Sequence, residues 1–396
     1  MKRSTERILT THTGSLPRPA DLLPLLRQKD NDELKDAEAL AAKVRSAVMA
    51  TVRRQLEAGL DIVNDGEMSK PSYATYVKDR MSGFDGSERS APIRGADFLE
   101  FPDFARASAG GMGAAGVHMK RPACTGPIAY RDQEALRADL ENLKAAIGSA
   151  RGAAESATRG QGPAESFMSA ASPGVVSFFL SNKYYPSHEA YLRAIAEAIR
   201  VEYEAICAAG FVLQVDCPDF AMSRHVHYKD LSLAEFRKTI ELHVDALNHA
   251  LANLPPDRVR VHLCWGNYQG PHNHDVPLRD IIDIVFKTRA QAISYEASNP
   301  RHEHEWTVFK NVKLPDGKIL IPGVIDSVTN FVEHPEVVAQ RIGNVARMVG
   351  RENVIAGTDC GFGTIAGASA VDGEVAWAKM RSLTEGARLA SQELWG

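Results

Sequence analysis

The sequence has little of what would set it apart from ordinary globular enzymes. It holds five cysteines (Cys124, Cys207, Cys217, Cys264, Cys360) in 396 residues, an odd number and widely scattered. That pattern argues against a disulfide framework and for a reducing, cytoplasmic setting. No run of about 18 apolar residues occurs, so no membrane span is expected. The opening Met1-Lys-Arg-Ser-Thr-Glu-Arg-Ile8 lacks the apolar core of a secretory signal. Neither sign of charge dominates: 46 Lys and Arg against 50 Asp and Glu give −4. Without a basic footprint, nucleic acid is not an expected partner. No Gly-x-Gly-x-x-Gly follows the first predicted strand, which counts against a dinucleotide fold. No internal repeat of fixed period is visible.

What is present is alternation. At 44% hydrophobic and 24% charged, the composition suits a globular domain. Short β-prone runs are centred near residues 9, 62, 168, 213, 261, 294, 322 and 355. Helical periodicity lies between them over Asp32–Ala58, Gln133–Ala157, His188–Ala209, Ser232–Asn253, Leu278–Thr288, Pro335–Val349 and Gly373–Leu394. Strands alternating with helices imply a parallel sheet, and eight of them favour a closed (β/α)8 TIM barrel over an open doubly wound sheet. We expect one barrel over residues 1–396, with an inserted excursion between the second and third strands over 68–165. The excursion includes an irregular, Gly- and Ala-rich stretch from Ala107 to Gly116, and a strand within Cys124–Tyr130. A loop this long is usually functional, and Tyr73, Tyr76 and Lys78 are its candidates for a lid.

The polar residues then fall in one place. Glu67, Asp216, His262, Cys264, Glu296, Asp326 and Cys360 all lie at or just past the C-terminal ends of predicted strands. In a barrel that end carries the active site. The predicted strand Val259–Leu263 runs into His262-x-Cys264, and the period of two puts both side chains on one side. Imidazole and thiol together are half a site for zinc. We expect the other half from Glu296 and Cys360. Each has a plainer reading: a packed thiol for Cys360, a carboxylate paired with arginine for Glu296. Cys207 reads as core, and Cys217, next to Asp216, faces away from the mouth. Zinc holding two thiolates and a displaceable oxygen ligand suits activation of a thiol, whose free pKa is about 8.5. The chemistry expected is S-alkylation of a small thiol, with a thiol and an alkyl donor as partners.

Several motifs carry a resemblance. They are Thr10-Thr-His-Thr-Gly-Ser-Leu-Pro-Arg18, Asn64-Asp-Gly-Glu67, Ser172-Pro-Gly174, Gln214-Val-Asp216, His262-Leu-Cys-Trp-Gly266, Glu296-Ala-Ser-Asn-Pro-Arg-His-Glu-His-Glu-Trp306, Pro322-Gly-Val324, Glu333-His-Pro335 and Asp359-Cys-Gly361. In this order they resemble the catalytic barrel of the cobalamin-independent methionine synthase superfamily. Over nearly the whole chain they are most similar to its epoxyalkane:coenzyme M transferases. The resemblance implies a catalytic zinc on His262, Cys264, Glu296 and Cys360. It also implies that Ser15, Glu67 and Asp216 lie where methionine synthase holds the homocysteine backbone. A full methionine synthase has a second barrel, for which this chain lacks room.

One position departs from the pattern. After the Pro-Gly-Val turn the family usually carries a His, a general acid by type; here Ser327 is near that place. Either Asp326 or a histidine such as His12 then supplies the proton, or the electrophile is neither an epoxide nor a methyl-folate. His12 could equally be a histidine bonded to backbone. Arg301 and Arg18 are the candidates for an anionic substrate group. Asp216 suits a substrate ammonium or a helix N-cap before Pro218. His272 and His274 suggest a loop ordering over the site, or a second metal. The expected activity is methionine-synthase-like transfer of a methyl or alkyl group to a small, homocysteine-like thiol, with a folate or an epoxide as the donor. The alternatives are an epoxide with coenzyme M, a metal-free barrel of uroporphyrinogen decarboxylase type, and a non-catalytic zinc barrel. A homo-oligomer is compatible with all of these.

Overall fold

The fold was analysed in a computed structural model, which describes residues 1–91, 93–107, 119–156 and 162–396. Eight parallel strands form the frame: β1 (Leu9–Thr10), β2 (Ile62–Val63), β5 (Glu165–Ala171), β6 (Val212–Asp216), β7 (Val259–Leu263), β8 (Ala292–Tyr295), β9 (Ile319–Ile325) and β10 (Ile355–Thr358). Their order is β1-β10-β9-β8-β7-β6-β5-β2. This is a nearly closed (β/α)8 barrel, as the alternation predicts. β1 and β2, two residues each, share no ladder, and side chains bridge them instead. Asp61 Oδ2 accepts from Thr10 N at 2.9 Å, and Thr11 Oγ1 donates to Ile62 O at 3.4 Å.

Alternation along each strand sorts the side chains. Leu213, Val215, Val259, Val261 and Leu263 join the large core between sheet and helices. The opposite parity points inward, where Leu9, Ile62, Phe167, Val212, Ala292, Ile319, Ile321 and Ile355 pack as a separate floor. Above that floor the interior turns polar. The buried Arg260 guanidinium lies 3.5 Å over the Phe167 ring and donates to Gln214 Oε1, Thr11 Oγ1 and His12 O. One strand thus carries floor, middle layer and mouth in turn: Val212, Gln214, Asp216.

The outer helices start where capping residues stand. Asp36, Ser187, Ser232 and Asp372 each accept a backbone N–H of the first turn, and Ser232 with Glu235 forms a capping box. The Asp36 cap is why the second helix begins at Ala37, not at Asp32. The expected helix over 278–288 is broken instead: a 3-10 turn, Leu278–Asp280, precedes the short helix Ile282–Val285. Buried Glu305 accepts the Leu278 N–H at 2.6 Å and draws that turn toward the next loop.

The excursion between β2 and β5 is more regular than its sequence suggests. β3 (Phe84–Arg89) and β4 (Pro122–Cys124) pair antiparallel, with a register shift between Asp85 and Arg89. The helix Gln133–Ser156 packs on the helix Ala37–Glu57. The Gly- and Ala-rich stretch expected over 107–116 falls almost wholly outside the described residues. Among the described residues no helix is long and apolar enough to cross a membrane.

Candidate metal centre and substrate cavity

The inward parity of β7 delivers Arg260, His262 and then Cys264 to the barrel interior, one above the other. The loop after β10 brings Cys360 to the same point. Cys264 Sγ and Cys360 Sγ are 3.8 Å apart, and one ring nitrogen of His262 lies within 4.8 Å of both. Two thiolates at a Zn–S distance of about 2.3 Å on a tetrahedral ion would be about 3.8 Å apart. His262 Nδ1 pairs with Ser294 Oγ at 3.2 Å, while its buried Nε2 has no partner. An orphaned nitrogen beside two thiols fits a metal ligand whose other nitrogen is oriented by a hydroxyl. Burial, with the Arg260 charge, lowers the imidazole to about 3, which favours the neutral, ligating form. The Cys264 thiol is pushed well above its usual range by its hydrogen bond with Cys360 and by burial.

Glu296 stands just past β8, 4% exposed, beside Cys264. Its Oε1 accepts from Trp265 N at 2.8 Å and its Oε2 from Asn299 Nδ2 at 2.8 Å. Burial and the neighbouring Cys264 raise its pKa well above the carboxylate range. It is held by these donors and not by an arginine, and it lies outside the tight three-residue group. His262, Cys264 and Cys360 are the three groups already close enough to share one ion.

They open into a cavity of about 930 Å3 that Ser15, Glu67, Tyr73, Asp216 and Asn267 also line. Glu67 has φ +58°, a left-handed conformation that costs a non-glycine residue stability and is found chiefly at functional turns. Its Oε1 accepts from Ser169 Oγ at 2.6 Å, and its buried Oε2 has no partner. Asp216 Oδ1 accepts from Gln214 Nε2 at 2.8 Å. Burial and the charge of Glu67 push Asp216 well above its usual pKa. Two carboxyl groups thus face one cavity, a chemistry suited to a cation. Ser15 approaches closely because residue 361 is glycine: a Cβ there would lie 2.0 Å from Ser15 Oγ.

The other expected site residues lie elsewhere. His12 is buried behind the cavity, its Nε2 2.9 Å from Gln55 Oε1 and its ring edge-on to Phe167. Asp326 accepts from Val328 N at 2.9 Å and from Thr329 Oγ1, closing its own loop. Arg301 is exposed and donates to Asn273 O at 3.2 Å. Arg18 donates to the carbonyls of Glu67, Lys70 and Gly363. None of the four lines the cavity. In each case local hydrogen bonding draws the polar group away. Of the lid candidates only Tyr73 reaches the cavity; Tyr76 donates to Glu202 Oε1, and Lys78 pairs with Asp30 and Asp79.

The loop after β7 supplies what the sequence reading missed. Ser327 Oγ donates to Asn267 Oδ1 at 2.9 Å, and Asn267 Nδ2 donates to Gly361 O at 2.8 Å. The position where a family histidine was expected is thus tied to the cavity through an amide. Tyr268 also lines the cavity and bonds Asp97 Oδ2 at 2.6 Å, joining this loop to the excursion. Asp275 gathers His225, His272 and His302 at 2.8–2.9 Å. The paired histidines of the loop divide: His272 joins that cluster, and His274 bonds Glu100. Asn267 carried no sequence signal beyond its place after His262-x-Cys264.

Comparison with known proteins agrees with this fold. The methionine synthase of Sulfolobus acidocaldarius is 24% identical over 388 residues, covering 97% of this chain and 93% of the relative. The 2-hydroxypropyl-CoM lyase of Xanthobacter autotrophicus is 24% identical over 417 residues, covering 98% and 96%. A B12-independent methionine synthase from a Shewanella species, solved with selenomethionine, has the same fold: TM-score 0.72 at 20% identity, covering 98% of this chain and 99% of that one. The family model described as the catalytic domain of cobalamin-independent synthase matches residues 182–384, which include β6 to β10 and all four expected metal ligands. The chain belongs to the cobalamin-independent synthase catalytic-domain family.

Proposed function

We propose that this protein is a zinc-dependent S-methyltransferase acting on a small amino-acid thiol of the homocysteine kind. The observation that carries the reading is one cavity with the His262, Cys264 and Cys360 donors at its head and the carboxylates of Glu67 and Asp216 on its wall. His262, Cys264 and Cys360 would hold zinc, with Glu296 as the ligand that yields to an incoming thiol. Zinc bound there supplies the acidity that makes a thiol of pKa about 8.5 a nucleophile near neutral pH. Glu67 and Asp216 bind the substrate ammonium. Its arrival replaces the proton that burial favours on Asp216, so binding releases a proton. Ser15 stands by the substrate carboxylate. The proton for the departing donor is left to a neutral group on the wall. Tyr73 stands on that wall; burial and the nearby cysteines raise its pKa, so its hydroxyl serves as a hydrogen-bond donor to the departing group rather than as a strong acid. The excursion, through its hairpin and the Asp97–Tyr268 bond, closes the cavity from one side.

The Xanthobacter relative supports a second reading, thiol addition to an epoxide. The carboxylate pair weighs against it, because coenzyme M offers a sulfonate and no ammonium to those groups. Metal analysis followed by calorimetric titration tests the proposal. We expect about one zinc per chain, homocysteine binding with proton release, and methyl transfer from a methyl-folate. Turnover of an epoxide with a thiol, without methyl transfer, would replace the first reading by the second. Protein that folds and acts without any metal would exclude both and restore the decarboxylase-like reading.

A further inference from the structure

The outer wall of the cavity is basic, and neither the metal centre nor the carboxylate pair uses it. Arg89, Lys120 and Arg121 line the cavity from the β3–β4 hairpin. Arg89 pairs with Pro122 across the ladder, and Ser90 N donates to Arg121 O at 3.0 Å, so the two arginines stand on adjacent rungs of the hairpin, and both border the cavity. Lys120 is neutralised by Asp32. Arg121 is half-buried, and its Nη1 has neither solvent nor an acceptor. Among the described residues no carboxylate pairs with either arginine. Glu33 lines the same wall but is exposed and bonds neither.

A desolvated guanidinium nitrogen without an acceptor is costly, and buried donors are rarely left so. Arg89, a second cation on the same cavity wall, adds to the positive field there. An oxyanion at Arg121 relieves that cost, and the planar fork of arginine matches the oxygens of a carboxylate or sulfonate. The volume leaves room: about 930 Å3 is far more than a thiol amino acid fills. We propose that Arg121, with Arg89 contributing charge from the same wall, forms a subsite for an oxyanion carried by one of the substrates, on the hairpin side of the cavity. The transferase reading decides which substrate carries the anion; the subsite itself rests on the hairpin alone. An acidic tail on the alkyl donor and an anionic group on the thiol share this chemistry.

Calorimetry on the full, zinc-loaded chain separates them. The probes are triglutamate for a donor tail, 2-mercaptoethanesulfonate for an anionic thiol, and homocysteine as the reference. Arg121→Gln and Arg89→Gln are compared with wild type, after thermal melts establish that each is folded. Arg121→Gln should weaken one anionic probe about ten- to a hundredfold, the loss of a charge-assisted contact. Homocysteine affinity should not change. The exposed Arg89→Gln should weaken the same probe by less, and wild-type affinity should fall as salt rises. The probe affected identifies the source of the anion. Equal affinities in wild type and both variants, or no binding of either anionic probe to wild type at about 10 mM, would overturn the subsite. If homocysteine fails to bind while an anionic probe still separates wild type from Arg121→Gln, the transferase reading falls and the subsite stands.

Discussion

Sulfur and nitrogen atoms a few ångströms apart set the chemistry at the scale of the residue. Cys264 and Cys360 are close enough to share one ion, and His262 offers a buried nitrogen without a hydrogen-bond partner among the described residues. Replacing either thiol by the harder serine hydroxyl removes a soft ligand, so Cys264→Ser and Cys360→Ser should each lose most bound zinc. Elemental analysis after gel filtration checks this; full zinc retention in either variant would remove that residue from the ligand set. Asp326 makes the opposite case. Its oxygens cap its own loop, so Asp326→Asn should lower stability by about 1 kcal/mol. Its kcat/KM should stay within about twofold of wild type. A thousandfold loss of rate in a folded Asp326→Asn would return it to catalysis.

Elements matter because the loops, not the strands, finish the site. The loop after β7 is pinned by Asp275. Burial opposes its charge, but hydrogen bonds from His225, His272 and His302 hold its pKa well below the usual range. His302 also stacks on Trp265, at 4.2 Å between ring centroids. Against its burial, the hydrogen bonds with Asp275 and Glu305 lift His302 to about 10. A raised pKa stabilises the fold fully below the unfolded value of about 6.5, and the contribution is lost as pH climbs through the folded value. Thermal melts should therefore weaken between about pH 7 and pH 10. His302→Gln should flatten that slope while lowering the melting temperature at pH 7. An unchanged slope would show that the ring is neutral in the folded protein.

Taken whole, the molecule depends on a polar middle layer above an apolar floor. Arg260 connects the two. It covers Phe167 and, through Gln214, orients the donor that reaches Asp216. Arg260→Met would leave Gln214 Oε1 and two other acceptors unsatisfied, at about 1–3 kcal/mol each. We expect loss of several kcal/mol in denaturant melts, and weaker homocysteine binding in whatever protein folds. A metal bound only by the folded barrel must also stabilise it. Chelation should lower the melting temperature in proportion to the zinc removed, and should cost up to about 4 kcal/mol of stability where free zinc stood a thousandfold above its Kd. Identical melts with and without chelator would mean that the ligands do not hold the ion in the folded state.

Much of this was legible in the chain itself. The eight strands follow from period and punctuation: short β-branched runs, each bounded by glycine, proline or a capping residue, leave few other topologies. The polar residues at their carboxyl ends follow too, because apolar runs rarely stop at Asp, His or Cys without reason. Composition and pattern could not say which of those groups face one another. Asp326 and Glu296 both stand just past strands, yet one folds back on its own loop and the other sits beside Cys264. His12 and Arg18 were drawn to the interior but bond the scaffold. Arg121 gave no sign at all, because its isolation depends on what the hairpin places around it. Sequence determines the period and therefore the side of a strand. Only closure of the barrel and docking of its loops decide which polar atoms find partners and which are left for a ligand.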